Sequence, residues 1–313
     1  MGTAFLFPGQ GSQAPRMGLD LLSTVPHVQA RFQQASAIAG LDLVELVRTA
    51  DAAALTRTEI TQITVFALST AIAEFLMARG LEPQAVAGHS LGEFSALACA
   101  GVLEWEEAAR LVWQRGLAMK AASASGAQAM AAIGGLSAEA VAALCAEAAP
   151  AGLVVVANLN SPLQLVISGE EAAVEEVMRR VRERPLTRVD RLNVGGAFHS
   201  PLMQPARDAL RQAIESAVLR PPAVPVVSSI DGELVTDLEV YRKKLIDQVT
   251  APVRWRDAVH RLRHMGVDHF LEVGPGRVLT GLVRQTDRTA RTATAGSLAE
   301  CELLLGQRRE AGD

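Results

Sequence analysis

Gly88-His89-Ser90-Leu91-Gly92 is a serine framed by glycines. It follows the short stretch Gln84-Ala85-Val86-Ala87 and opens into a run of small and apolar residues from Phe94 to Ala100. The pattern reads as strand, sharp turn and helix, the context in which Gly-x-Ser-x-Gly carries chemical meaning. Such a turn lifts the serine hydroxyl clear of the sheet. Glycines are needed there because side chains would collide with neighbouring backbone. The backbone N–H groups that follow face the same point and can hold an oxyanion. The stretch sets the class as α/β and offers Ser90 as a nucleophile for acyl transfer.

The bulk numbers agree with that class. The chain has 313 residues, enough for a substantial core and two domains. It is 49% hydrophobic but only 4% aromatic, with abundant alanine and leucine, which suits helices packed on a sheet. No stretch reaches about 18 uninterrupted apolar residues, so no membrane span is expected. Thr3-Ala4-Phe5-Leu6-Phe7-Pro8 reads as a buried strand entering a loop, without the basic start and cleavage site of a secretory signal. A cytoplasmic location is the expectation. Cys99, Cys145 and Cys301 lie far apart and form no metal-ligand cluster, so no metal site is expected and the thiols read as small buried hydrophobes. The net charge of −4 and the brevity of basic runs such as Arg179-Arg180 argue against nucleic-acid binding.

Outward from the serine turn, residues 4–7 and 84–88 read as strands. Residues 62–79 form an apolar helix stopped by Gly80 and Pro83, and 104–122 a helix with acidic residues at its start. The pattern then changes. Strand 128–133, helix 137–148, strands 153–158 and 164–168, helix 170–184 and strand 187–194 follow one another. That order is the ferredoxin-like arrangement. Afterwards come helix 202–217, strand 224–228, helices 238–248 and 255–266, strand 269–273, the turn Gly274-Pro275-Gly276 and helix 278–285. The polar tail after Gly306 is expected to fray. The expected architecture is a larger α/β-hydrolase-like domain, residues 1–126 and 195–313, interrupted by a small ferredoxin-like subdomain, residues 127–194. A cleft between the two is a natural ligand site.

Ser90 needs a base, because a serine hydroxyl attacks a thioester only when a neighbour takes its proton. His199, in Gly195-Gly196-Ala197-Phe198-His199-Ser200-Pro201, is the best candidate: it stands in a loop where the chain leaves the inserted unit. The competing reading is a satisfied histidine at a helix start. His89, next to the serine, is expected to point away and pack behind the turn. His27, His260, His264 and His269 read as surface or packing residues, and His264 with His269 makes no metal site.

Arg115 is the single cation on an apolar helical stripe, Ala108, Leu111, Val112, Arg115 and Met119. A guanidinium buried there needs an anion. An internal salt bridge is one reading; a bidentate clamp on a substrate carboxylate is the sharper one. Phe7-Pro8-Gly9-Gln10-Gly11-Ser12-Gln13 is a strand followed by a glycine-rich loop. It lacks the lysine and spacing of a phosphate loop, and reads better as backbone that approaches a reacting carbonyl, with Gln10 supplying an N–H.

With these segments in view, the chain resembles the malonyl-CoA:acyl carrier protein transacylases, a family that includes the acyltransferase domains of polyketide synthases. The resemblance runs from Phe7-Pro8-Gly9-Gln10-Gly11-Ser12-Gln13 to Glu272-Val273-Gly274-Pro275-Gly276. It includes Gly88-His89-Ser90-Leu91-Gly92-Glu93, Gln114-Arg115-Gly116, Asn158-Leu159-Asn160-Ser161-Pro162 and Ala197-Phe198-His199-Ser200 in order and spacing. It implies a Ser90–His199 dyad, with the backbone carbonyl of Gln248 orienting the histidine in place of a carboxylate. It further implies an oxyanion hole from the N–H groups of Gln10 and Leu91, and pairing of Arg115 with the malonyl carboxylate. Asn158 or Asn160 is expected to line the site. Phe198 is the residue of malonyl-selective relatives; methylmalonyl-selective ones tend to carry serine there, and glutamine at the position of Leu91. A bulky Phe198 fills the space an α-methyl group needs, worth about 1–3 kcal/mol.

The implied reaction is a ping-pong transfer from malonyl-CoA to the phosphopantetheine thiol of an acyl carrier protein acting in trans, in polyketide or fatty acid biosynthesis. No permanently bound cofactor is implied, and the protein is expected to be a monomer. A thioester hydrolase or editing enzyme of the same fold, a transferase for another acyl group and a catalytically dead docking module are the competing readings. The short basic run Arg179, Arg180 and Arg182 could meet an acidic carrier helix; a solvated helix face is the plainer reading.

Overall fold

Nine strands run through the described residues: β1 (Gly2–Phe7), β2 (Ala85–Gly88), β3 (Gln128–Gly134), β4 (Val154–Ser161), β5 (Gln164–Glu170), β6 (Arg188–Arg191), β7 (Val226–Val227), β8 (Val267–Val273) and β9 (Arg291–Ala295). The structure is a computed structural model and describes residues 2–310. Five strands form one parallel sheet in the order β7-β2-β1-β8-β9, with β1 at its centre. A central parallel strand is covered on both faces, so it reads as a continuous apolar run rather than an alternating one. Successive side chains still point to opposite faces. Phe5 and Phe7 enter the larger core, while Ala4 and Leu6 enter a second one with Trp255, Val259, Leu279 and Leu282.

Helix Thr58–Met77 is buried along nearly its whole length. It is long and apolar enough to cross a bilayer, but here it is a core helix packed inside the fold. Helix Trp105–Ala122 packs beside it and buries Ala108, Leu111, Val112, Arg115 and Met119, the stripe read from the sequence.

The other four strands form an antiparallel sheet in the order β4-β5-β3-β6. Helices Ala138–Ala148 and Glu171–Arg182 alternate with these strands along the chain. Val141, Leu144, Ile167, Val174, Val177 and Val181 give this unit a core of its own. The small unit meets the larger one along β4: the Leu159 N–H donates to the carbonyl of Val253, in the segment before helix Trp255–His264, and the Val253 N–H to the Ala157 carbonyl, both at 2.8 Å. The order strand–helix–strand–strand–helix–strand expected for residues 128–194 is present, although its last strand is only Arg188–Arg191.

Three differences stand out. The segment between β1 and Thr58 carries four helices that the sequence reading passed over: Leu19–Thr24, Pro26–Ala39, Leu43–Thr49 and Ala52–Leu55. Their signals were Pro26 at a helix start and the N-capping side chains of Asp42 and Asp51. Strand 224–228 shrinks to Val226–Val227 at the sheet edge. The tail after Gly306 does not fray at once: helix Leu298–Glu310 carries through it, and the rest of that tail lies outside the described residues.

Candidate active site

The site begins with steric necessity at the end of β2. Ser90 has φ 54°, in the left-handed region that side chains rarely adopt. A Cβ on Gly88 would come within 1.9 Å of the Gly92 backbone, and one on Gly92 within 2.0 Å of the Phe7 carbonyl oxygen. The turn closes this tightly only with glycine at both places. The loop after β1 lies against it: a Cβ on Gly9 would stand 2.6 Å from the His89 carbonyl oxygen, and the His89 N–H donates to Phe7 at 3.0 Å. Gln10 and Leu91 therefore flank the serine turn. Among the described residues, neither of their N–H groups has a hydrogen-bond partner, so both are available as donors.

His199 comes from the loop before helix Gln204–Ser216 and also has positive φ, 58°. Its own N–H donates to the Val249 carbonyl at 3.0 Å, and Ser200 braces the loop by donating from Oγ to the Ala197 carbonyl at 2.6 Å. Nε2 lies 2.7 Å from Ser90 Oγ. Nδ1 lies 3.0 Å from the carbonyl oxygens of both Gln248 and Ala251. Carbonyls only accept, so Nδ1 carries the proton and the Nε2 lone pair faces the serine. Burial pushes the imidazole down to about 3, with help from the Arg115 and His89 charges, so it is neutral at ordinary pH.

Arg115 is 1% exposed. Its Nη1 donates to Gln62 Oε1 at 2.8 Å, and Nε and Nη2 donate to Gln248 Oε1 at 3.1 and 3.0 Å. Nη2 also reaches Ser90 Oγ at 3.1 Å. These partners are neutral, and among the described residues no carboxylate lies within ion-pairing distance of it. The internal salt bridge, the alternative reading of this residue, is not formed among the described residues. Burial lowers the guanidinium to about 10, which leaves it charged at neutral pH.

The remaining expected residues divide. Phe198 is 5% exposed and packs in the larger core directly before His199. Asn160 accepts from His89 Nε2 at 2.9 Å through Oδ1, and its Nδ2 donates to Gln164 at 2.9 Å. Since an amide oxygen only accepts, His89 is the donor. His89 thus points away from Ser90, with its ring 5.6 Å from that of Trp255. Asn158 is nearly buried, and its Oδ1 has no partner among the described residues.

Two elements of the site were missed in the sequence. One is Gln62, the amide against Arg115, on a helix whose other polar residues, Thr61, Thr64 and Thr70 among them, gave it no distinguishing mark. The other is Glu93, fully buried beneath the turn with Ser228, Ser229 and Tyr241 around it. A carboxylate just after Gly92, in a helix otherwise of small and apolar residues, was the available signal.

Together these groups can deprotonate a hydroxyl, receive an oxyanion on two N–H groups and hold an acidic acyl chain beside the reacting oxygen. Comparison with known proteins gives the family. Residues 4–310 match the acyl transferase domain family. The malonyl CoA-acyl carrier protein transacylase of Bacillus subtilis is 38% identical over 311 residues, 99% of this chain and 98% of that protein. The Escherichia coli K12 protein of the same name is 41% identical over 298 residues, 95% and 96% of the two chains. Among solved structures, the Coxiella burnetii malonyl CoA-acyl carrier protein transacylase superposes with a TM-score of 0.93 at 37% identity, covering 98% of this chain and 97% of that one. A malonyl-transacylase solved in complex with a type II PKS acyl-carrier protein gives a TM-score of 0.94 at 38% identity, covering 98% of this chain and all of that one. With likeness of this extent in sequence and in fold, the chain belongs to the acyl transferase domain family.

Proposed function

We propose that this protein is a malonyl-CoA:acyl carrier protein S-malonyltransferase. The observation that carries the proposal is Arg115: a charged guanidinium, buried and without a carboxylate partner among the described residues, 3.1 Å from Ser90 Oγ. A buried cation with only neutral partners is a receptor for an anion that the substrate brings. The printed names of the relatives give the same acyl group and acceptor.

In the first half-reaction, Ser90 Oγ attacks the thioester carbonyl while His199 Nε2 takes the hydroxyl proton. The Gln248 and Ala251 carbonyls hold the Nδ1 proton and steady the imidazolium that forms. The N–H groups of Gln10 and Leu91 receive the oxyanion. Collapse breaks the C–S bond, CoA leaves with the proton from His199, and malonyl-Ser90 remains. In the second half, the phosphopantetheine thiol gives its proton to His199 and its sulfur attacks the ester. Ser90 then leaves and regains the proton. Arg115 grips the free carboxylate throughout, and Phe198 and the two asparagines bound the acyl pocket.

The rest of the reading is proposed with it. The large unit, residues 1–126 and 195–313, is α/β-hydrolase-like, as the strand–serine–helix turn supports. Residues 127–194 form a ferredoxin-like subdomain, supported by the antiparallel order β4-β5-β3-β6 with two interleaved helices. The enzyme is a cytoplasmic monomer that meets its carrier in trans. It needs no bound metal or redox cofactor and engages neither nucleic acid nor membrane.

Mass spectrometry of the intact protein with malonyl-, methylmalonyl- and acetyl-CoA, followed by fatty acid or polyketide carriers, tests this. A malonyl adduct on Ser90 that moves to a carrier faster than to water is the expected result. Loss of the adduct to water at the same rate without a carrier would assign the protein to the hydrolases, and no adduct would end the enzymatic reading.

A further inference from the structure

Beneath the serine turn, Glu93 is fully buried, and every group facing its carboxylate is a donor. Ser228 Oγ and Tyr241 Oη donate to Oε1 at 2.5 and 2.7 Å; Ser229 Oγ and Gln248 Nε2 donate to Oε2 at 3.0 and 3.2 Å. That is the donor set an ionised carboxylate takes. Burial pushes its pKa above the ordinary carboxylate range, and the four donors pull it back down.

The contact with Gln248 decides more than the burial of one charge. An amide has a donating and an accepting end, and in isolation either can face a given neighbour. Here Nε2 is fixed on an acceptor pair, the Glu93 carboxylate and the Ser90 carbonyl, the latter at 2.8 Å. Oε1 must then face the other way, and it accepts from both Nε and Nη2 of Arg115. With the amide reversed, its NH2 would meet the guanidinium donors and its oxygen would meet a carboxylate. The main-chain carbonyl of the same residue receives His199 Nδ1.

We infer that Glu93 is a positioning residue for acyl-group selection: through the Gln248 amide it fixes the Arg115 guanidinium in the pose that receives a substrate carboxylate. This rests on the malonyl-transfer reading above and adds a residue that touches neither substrate nor nucleophile side chain. The fixed negative charge also offsets Arg115 from behind while leaving the guanidinium without a direct ion pair. The cation is thus held in place and still free to take the substrate's anion.

The test is the ratio of kcat/KM for malonyl-CoA to that for acetyl-CoA, in the wild type, Glu93→Gln, Arg115→Ala and the double variant. Glu93→Gln is expected to lower the ratio about tenfold, and to lower it no further once Arg115 is alanine, the signature of residues in one network. Equal losses on both donors, or independent losses in the double variant, overturn the inference. Failure of Arg115→Ala to alter the ratio overturns the malonyl reading itself, so the two failures are told apart. Should Glu93→Gln not fold, Gln248→Met serves: it keeps the carbonyl for His199 but cuts the link. An unchanged ratio in Gln248→Met overturns the proposal as well.

Discussion

Arg115 Nη2 donates to Ser90 Oγ at 3.1 Å, so a buried cation and the candidate nucleophile touch directly. The same hydroxyl lies 2.7 Å from His199 Nε2. Proton removal and anion binding therefore act at one atom, and each can be disturbed separately.

Replacing Arg115 by alanine removes one partner of a buried charge pair that forms when the malonyl carboxylate binds. The expected cost is about 2–5 kcal/mol in kcat/KM for malonyl-CoA, with acetyl-CoA activity kept or raised. Steady-state rates with both donors check this, and equal loss with both would sink the carboxylate-clamp role.

His199→Ala leaves Ser90 in its turn without a base. Serine acylation by malonyl-CoA is expected to slow by about 10²–10⁴-fold while the adduct remains detectable at long times. Ser90→Ala should give no adduct at any time. Timed intact-mass measurements distinguish the two, and unimpaired acylation in His199→Ala would remove the histidine from the mechanism.

Burial holds the His199 imidazole near 3, far below the ordinary histidine value of 6.5. The neutral form needed as base persists well into acid. In the kcat/KM profile, which reports the free enzyme, no His199 limb should appear near 6.5. The stability effect has a definite sign. Between 6.5 and about 3 the unfolded chain binds a proton at this site that the folded chain refuses. Folding stability from this group is therefore lost as pH falls through that window. An acid limb of kcat/KM at 6.5 or above, assigned to His199, would contradict the geometry.

A Cβ at Gly92 would sit 2.0 Å from the Phe7 carbonyl oxygen, which belongs to the central strand and cannot swing aside. Gly92→Ala is expected to destabilise the protein by about 3 kcal/mol or more. Chemical denaturation reads this out; a variant as stable as wild type would show that the turn relaxes freely.

Phe198→Ser should open space beside His199 and raise methylmalonyl relative to malonyl transfer, by about 1–3 kcal/mol in the ratio of kcat/KM. Competition between the two CoA esters, read by mass on Ser90, measures it. An unchanged ratio would place the α-carbon elsewhere.

Much of this site was legible because its signals are local. The strand, turn and helix around Ser90 follow from glycine spacing, and the stripe containing Arg115 from a helical period. The serial order of the inserted unit follows from alternating periods of two and 3.6. Other parts left fainter marks. The helices between Leu19 and Leu55 have short or weakly amphipathic faces; two of them start on a single capping aspartate, one on Pro26, and Leu19–Thr24 has no side-chain cap. Gln62 is one of several polar residues in its helix, and Glu93 a single carboxylate in a small-residue helix, until the groups they meet are known. Gln248 was read for its carbonyl, while its side chain turned out to join Glu93, Ser90 and Arg115.

The serine turn and the buried arginine stripe are written into local sequence, because steric exclusion and helical period act between residues close along the chain. Which groups meet was left to long-range packing. Ser90 and His199 are 109 positions apart, and Arg115 and Gln248 are 133 apart. A hydrogen bond acts over about 3 Å, so its partners are fixed by how the sheets and helices close on one another. That closure left Arg115 with neutral amides in place of a salt bridge, and put Glu93 behind them.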